Sequence, residues 1–483
     1  MFALIYIAFA IWPLVTIAFF ATLGPRRGLI ASMVGGFLFL PFVPIPIADG
    51  LPGIGKNFVT SASALAAVLA FDPQRMARYR FHWLDWLVLM AWAAWGMSAL
   101  VNGLGIQQAL LEWWAYAFWA AIPYFLGRAY LDSPEALRDM AVGIVALTMI
   151  YAVFAVVEMR MSPQFHRWVY GVQGADFHMA KRMGGWRPRV FQFHGLSTSM
   201  WLGAGAVVAW AVWFADRRRR VLSVPMAIVA PALSMVSIAC RSAGAMGLMV
   251  GGVLLVWASR QTRRWVWPLA IPVFVALYLA TGLIGPVVPV RAPLVAASEL
   301  VFPSKVGSLT YRIRHEEALV WHALKAPVFG WGGWNRNRPD AADAKEMTGK
   351  SRAVTDGLWI IIFGKYGLVG LIGTYGWMLL PASLAVVQLI RLRAGPAIGF
   401  VVVGLSLWST LFAADQLFNG FPHVVQGLVA GGLASFVVMA SRVRRRTGTG
   451  RPGMGRSQPS SSRTVSQSPP RPSAISGVAH RVS

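Results

Sequence analysis

The residues best suited to chemistry are arginines at the ends of apolar stretches. Arg241 sits in the very short connection Cys240-Arg-Ser-Ala-Gly-Ala245 between two apolar helices, with little room to reach bulk water. A guanidinium there is costly unless it meets an anion, a carbonyl or a water-filled cavity. It therefore binds an anion, or it caps and snorkels at a helix end. Arg189, with Arg187 two residues earlier, precedes the apolar stretch that starts near Leu196, and Arg312 lies in the hydrophilic stretch from Gly285 to Asp356. Guanidinium forks pair bidentately with phosphate oxygens. Several of them converging from separate connections suit a diphosphate, which leaves readily once its developing charge is neutralised. Such chemistry calls for no metal and no cofactor.

The 285–356 stretch carries the other candidates, and connections kept this long in a helical membrane protein are usually functional. Asp356 is either the base that takes a proton from an acceptor hydroxyl or the N-cap of the helix that follows. Ser308 to Lys325 fits an amphipathic surface helix, with Ile313, Val320 and Leu324 on one side and Arg312 and Glu316 at i,i+4 on another. On that helix His315 and His322 are rival bases or plain polar surface residues. Trp331 and Trp334, in Gly330-Trp-Gly-Gly-Trp334, either stack on sugar rings or anchor at the interface. Asp340, Asp343 and Glu346 are too few for an oxygen-ligand cation site and read as solvated surface. Asp415 and Asn419, in a short connection farther on, either line the same cavity or cap and pack at a helix end.

Absences narrow the field. The sequence has no His-Glu-x-x-His, no nucleotide-phosphate loop, no Gly-x-Ser-x-Gly and no Asp-x-Asp. Metalloprotease, ATPase and sugar-nucleotide transferase readings weaken accordingly.

The elements that must position these groups are membrane helices. With 57% hydrophobic and 13% charged residues, the 483-residue chain holds more apolar side chain than a soluble core needs. Apolar runs fall near 2–23, 29–45, 57–71, 84–101, 109–126, 140–157, 196–214, 221–239, 243–258, 266–284, 358–390, 396–414 and 423–440. The expected fold is all-α: a polytopic bundle of twelve or thirteen transmembrane helices, with a long extracytoplasmic loop containing short helices. The count is thirteen, or about twelve if the 57–71 run is re-entrant or the first run is miscounted. The first run lacks a basic n-region and a cleavage site and reads as a retained helix. One cysteine, Cys240, excludes an internal disulfide.

The formal charge of +26 is distributed as topology signals. Basic clusters recur at every second connection, from Arg26-Arg27 through Arg217–Arg220 to Arg442–Arg446, which places those ends in the cytoplasm. A nucleic-acid partner would instead demand one clustered basic face. The expected organisation is an N-terminal bundle over 1–284 with an outer loop at 158–195, a periplasmic catalytic loop at 285–357, C-terminal helices at 358–440, and a disordered basic cytoplasmic tail at 441–483. The 158–195 loop carries six Lys or Arg against Glu158 and Asp176. On the outer side that excess either awaits an anion or is a weak violation overruled by the neighbouring clusters. Outside the cytoplasm there is no nucleotide pool, so a diphosphate at this depth is lipid-linked.

Several stretches resemble the O-antigen ligase and O-antigen polymerase superfamily of bacterial membrane proteins: Arg189-Val-Phe-Gln-Phe-His194, the Arg241-Ser-Ala-Gly-Ala turn, Tyr311-Arg312 through Ala326-Pro-Val-Phe-Gly-Trp-Gly332, and Asp356-Gly-Leu-Trp followed by Gly364-Lys-Tyr-Gly-Leu-Val-Gly370. The likeness covers roughly 185–375 and the many-helix layout. It implies a metal-independent inverting glycosyltransferase at the outer face of the inner membrane. The donor would be a polyprenyl diphosphate-linked glycan and the acceptor a glycan or lipid-linked hydroxyl, with membrane lipids and other polysaccharide assembly proteins as partners. It further implies that Arg189 and Arg241 hold the diphosphate and that Arg312 lines the same cavity. Ligases of this family commonly carry His-Asn where this chain has Thr355-Asp356, which turns the expectation toward a polymerase. Two other classes stay open: a transporter or flippase of lipid-linked sugars, although the span interiors are almost free of Asp and Glu, and a non-catalytic assembly protein.

Overall fold

In the computed structural model, residues 3–47, 52–174, 177–182, 184–285, 306–354 and 356–448 are described. Helices α1 (Ala3–Phe39), α2 (Lys56–Phe71), α3 (Pro73–Ala77), α4 (Asp85–Val101), α5 (Gly105–Tyr116) and α6 (Ile122–Tyr130) are followed by α7 (Pro134–Met161), α8 (Phe165–Tyr170), α9 (Gly195–Ala215), α10 (Met226–Ala239), α11 (Ala243–Thr262) and α12 (Ala270–Ile284). Then come α13 (Val306–Ala323), α14 (Ala341–Thr348), α15 (Leu358–Leu392), α16 (Pro396–Asp415) and α17 (Val424–Gly448). Two hairpins of two-residue strands, β1 (Lys181–Arg182) with β2 (Gly185–Trp186) and β3 (Arg220–Val221) with β4 (Val224–Pro225), are the strands among the described residues.

The chain is a multi-pass helical membrane protein. Eight described helices are long and apolar enough to cross a bilayer, and α2, α4 and α10 are shorter apolar helices. One of the eight, α1, is two arms: Gly24 turns away at φ 77°, ψ 163°, and Pro25 starts the second arm. A π-helical turn, Ala117–Ala121, joins α5 to α6, so Gly105–Tyr130 runs as one continuous stretch. Taken this way, every apolar run expected from the sequence is helical, 57–71 included. Boundaries differ most at the second run, where helix ends at Phe39, short of residue 45.

Burial orders the bundle. The apolar windows of α9, α16 and α17 are 83%, 89% and 83% buried, against 28% for α1 and α11, so the first three form the middle. Close backbone approach holds α17 on α6: a Cβ at Gly431 would lie 2.0 Å from the Tyr124 carbonyl oxygen, and one at Gly127 would lie 2.1 Å from that of Leu428. Small residues allow this contact in membranes, where apolar association alone gains little.

The two ends of the bundle are fastened differently. At the arginine-rich end, Arg26 and Arg27 reach Asp139, Arg75 reaches Asp132, and Arg138 reaches Asp216. These pairs join the Gly24 break, the α2–α3 corner, the start of α7 and the end of α9 on one side, as the alternation of basic clusters requires. The long connection lies at the other end. Residues 286–305 of that connection and the tail from 449 lie outside the described residues. Of the tail expected at 441–483, residues 441–448 are the last turns of α17.

Candidate functional site

Three of the predicted arginines meet at the amino end of α9. The meeting point is built by Glu158, at the end of α7. Its Oε2 accepts the backbone N–H groups of Arg189 and Val190, both at 2.7 Å, and its Oε1 accepts that of Phe165 at 2.9 Å. The Arg189 carbonyl in turn accepts the hydroxyls of Thr198 (2.7 Å) and Tyr151 (3.3 Å). These bonds hold Val190 at φ 54°, a left-handed conformation that a β-branched residue adopts only when its surroundings impose it. Arg241 is left-handed as well, at φ 57°, and its carbonyl accepts a guanidinium N–H of buried Arg187 at 2.9 Å.

The Arg241 side chain turns toward the β1–β2 hairpin. It donates to the Arg182 carbonyl at 3.3 Å, and a Cβ at Gly185 would fall 2.4 Å from its guanidinium carbon. His194 caps α9, its Nδ1 accepting the Leu196 N–H at 3.1 Å. Burial, and then the charges of Arg187, Arg189 and Arg182, push His194 down to about 4, so it stays neutral at pH 7. Arg187 is lowered too, by burial and by Arg182 and Arg189. Four guanidiniums and the positive end of a 21-residue helix thus share one corner. The carboxylate whose charge bears on Arg189 there, Glu158, is already engaged by three backbone N–H groups.

The second group of predicted residues lines a narrow crevice between α13 and the start of α15: Tyr311, Arg312, His315, Glu316, Val354, Asp356 and Phe418. Asp356 is exposed at its mouth. The N-cap position of α15 is Gly357, with no side-chain cap bond, and the Leu358 N–H goes to the Gln416 carbonyl at 2.8 Å, so the capping reading of Asp356 is set aside. His315 is 2% exposed and Glu316 7%, which corrects the expectation that they lie on a solvated helix face. Packing of α13 against α15 buries them, and Glu316 accepts the Tyr278 hydroxyl at 2.9 Å. His315 Nδ1 accepts the Val354 N–H at 3.2 Å, leaving Nε2 buried without a hydrogen-bond partner. Burial and then Lys350 lower its basicity, while Asp356 opposes them.

The connection between α16 and α17 touches both groups. Gly420 packs near the Asp356 carbonyl, Phe421 stacks on His194 at 5.5 Å, and buried Asp415 accepts the Asn419 amide at 2.8 Å while feeling the charge of Arg312.

The glycine motifs prove to be one device. Gly367, at φ 65°, breaks α15. The freed N–H groups of Leu368 and Val369 donate to the carbonyls of Pro327 (2.7 Å) and Val328 (3.3 Å). Trp331 and Gly332 N–H donate in return to the carbonyls of Gly364 (2.9 Å) and Lys365 (3.0 Å). Backbone exposed by a helix break is thereby satisfied within the protein. Trp331 belongs to this latch: its indole stacks on His322 at 4.6 Å and donates to the His322 carbonyl at 3.1 Å. Trp334 is 53% exposed, with Arg338 over its ring at 5.4 Å. Asp340 caps α14 and Asp343 pairs with Lys325 at 3.5 Å.

Glu158 was missed as a site residue, although a lone carboxylate at the end of an apolar span is a legible signal. Glu112 was missed too; it holds Lys365 at 3.1 Å and accepts the Tyr366 hydroxyl. No family model matches the chain, and no curated protein matches it.

Proposed function

We propose that the protein is a membrane glycosyltransferase that extends a glycan from a polyprenyl diphosphate-linked donor at the outer face of the bacterial inner membrane. The observation that carries the reading is the corner at the start of α9, where Arg187, Arg189 and Arg241 come together from two separate connections. In this reading the guanidiniums take the diphosphate, and the N-terminus of α9 adds its dipole. Charge that develops on the departing diphosphate is neutralised there, which lowers the barrier without a metal. The acceptor hydroxyl comes from the crevice side. Asp356 takes its proton, Arg312 orients the sugar or the diphosphate, and attack on the face opposite the leaving group inverts the anomeric carbon.

With Thr355-Asp356 in the place where the resembling ligases carry His-Asn, elongation of a repeat polymer is preferred to a single transfer. In this reading the basic clusters of the other end face the cytoplasm, as the positive-inside rule favours, and the crevice faces outside. The test is reconstitution of purified protein with a lipid-linked oligosaccharide and no ion gradient. A product ladder that collapses in Arg189→Ala and Arg241→Ala is expected. An unchanged ladder in both variants refutes the assignment of the arginines, and gradient-dependent movement of donor without elongation favours a flippase.

A further inference from the structure

The opposite end of the bundle contains a cavity of about 800 Å³ that the proposed reaction does not use. It opens between the α2–α3 corner, the end of α6 and the last turns of α17, and five arginines line it: Arg75, Arg78, Arg80, Arg128 and Arg442. Two of these are committed. Arg128 is buried, paired with Asp85 at 2.9 Å, and bonded to Ser435 at 2.9 Å. Arg75 pairs with Asp132 at 2.6 Å and donates to the Ala129 carbonyl at 2.9 Å. The other three are exposed, and among the described residues no carboxylate forms an ion pair with Arg78, Arg80 or Arg442. Asp72 is the remaining acid on the wall, so the lining keeps a surplus of positive charge.

The rest of the wall names the kind of anion. Val438, Met439 and Val443 of α17 line the cavity beside the guanidiniums. A charged group is therefore met on one side and hydrocarbon on the other, at the height where the spans end. The chain's own tail does not suit the place, because residues 449–483 carry arginines and no Asp or Glu. We propose that this cavity binds a phosphate-bearing anion, and that the headgroup of an anionic phospholipid is the source its amphipathic wall fits. The bound lipid would tie the α2–α3 corner to α17, two elements that α6 otherwise bridges. Basic pockets between membrane helices recognise lipid phosphates in this way.

The experiment uses full-length protein in bilayer discs of phosphatidylcholine mixed with phosphatidylglycerol. Phosphatidylglycerol retained after extraction into detergent is counted by mass spectrometry, for wild type and for the triple variant Arg78→Gln, Arg80→Gln, Arg442→Gln. Retention roughly fivefold weaker per guanidinium removed is expected. A second arm titrates inorganic pyrophosphate into detergent-solubilised protein. Arginine-dependent binding of pyrophosphate without retention of phosphatidylglycerol would keep the phosphate site and move its source to a soluble anion. Equal behaviour of wild type and variant in both arms would overturn the proposal. Thermal unfolding in pure phosphatidylcholine discs checks that the variant is folded. Should it not be, Arg442→Gln alone, on the exposed end of α17, is read in the same two arms and decides by the same outcomes.

Discussion

Replacing Glu158 by alanine tests whether the arginine corner is held from below. Glu158 is 2% exposed and its two oxygens accept three backbone N–H groups at 2.7, 2.7 and 2.9 Å. Removing the carboxylate strands three buried donors, each costing about 1–3 kcal/mol. Val190 at φ 54° holds a further strain of about 1–3 kcal/mol, which the turn releases by swinging away, so part of the cost is recovered. The net expectation is roughly 3–6 kcal/mol of lost stability, localised at residues 187–192. Glu158→Gln keeps one oxygen for the Arg189 and Val190 N–H groups and turns an amide toward that of Phe165, for about half the loss. Thermal unfolding in detergent gives the size, and hydrogen exchange of peptides covering 187–192 gives the place. If Glu158→Ala melts with the wild type and these amides exchange no faster, the carboxylate is not what shapes the turn. Under the proposed function, the same variant also loses product with every arginine still present.

Three further outcomes follow from the packing. Gly367→Ala places a Cβ 2.2 Å from the Val328 carbonyl oxygen at φ 65° and is expected to cost about 3 kcal/mol or more. Gly349→Ala, equally left-handed at φ 74° but in open space, costs about 1 kcal/mol, and equal melting of the two would sink the latch. His423 is fully buried among Phe37, Trp201, Trp408 and Phe412, and burial followed by the charge of Lys56 lowers it to about 3. Between the unfolded value of 6.5 and that figure only the unfolded chain takes the proton, so stability is full above 6.5 and falls with pH. The loss is about 2 kcal/mol at pH 5, and in His423→Phe a pH series of melting temperatures should show a correspondingly shallower slope. Arg128→Ala leaves Asp85, 0% exposed, without its cation and should cost about 3–5 kcal/mol, whereas Asp85→Asn with Arg128→Met recovers much of it; a double variant no better than the single refutes the pairing.

The helices were legible because bilayer-length apolar runs and arginine clusters are strong, local signals. The Arg26–Asp139 and Arg138–Asp216 pairs then follow from which connections share a side. Arg187, Arg189 and Arg241 were legible for a related reason: a guanidinium at a short or anomalous connection announces its own cost. What the sequence hid was partnership across distance. Nothing local says that Gly330-Trp-Gly and Gly364-Lys-Tyr-Gly bond to each other, since main-chain bonds leave no side-chain signature. Nor does periodicity reveal that His315 and Glu316 turn inward, because α13 packs on α15 instead of lying free.

That main-chain latch also closes the neck of an excursion of the chain. Residues 333–354 leave and return at a neck closed by Trp331, Gly332 and Gly364 to Val369, with Val354 pinned to His315 and Arg352 to Asn335. Beyond the neck the same stretch is tied back to the end of α13 and the turn after it, where Lys325 meets Asp343 at 3.5 Å and His322 meets the Arg336 carbonyl at 2.9 Å. Under the proposed function, the stretch that meets the acceptor is thus hung from main-chain bonds, and those bonds need the left-handed glycines Gly330, Gly332 and Gly367.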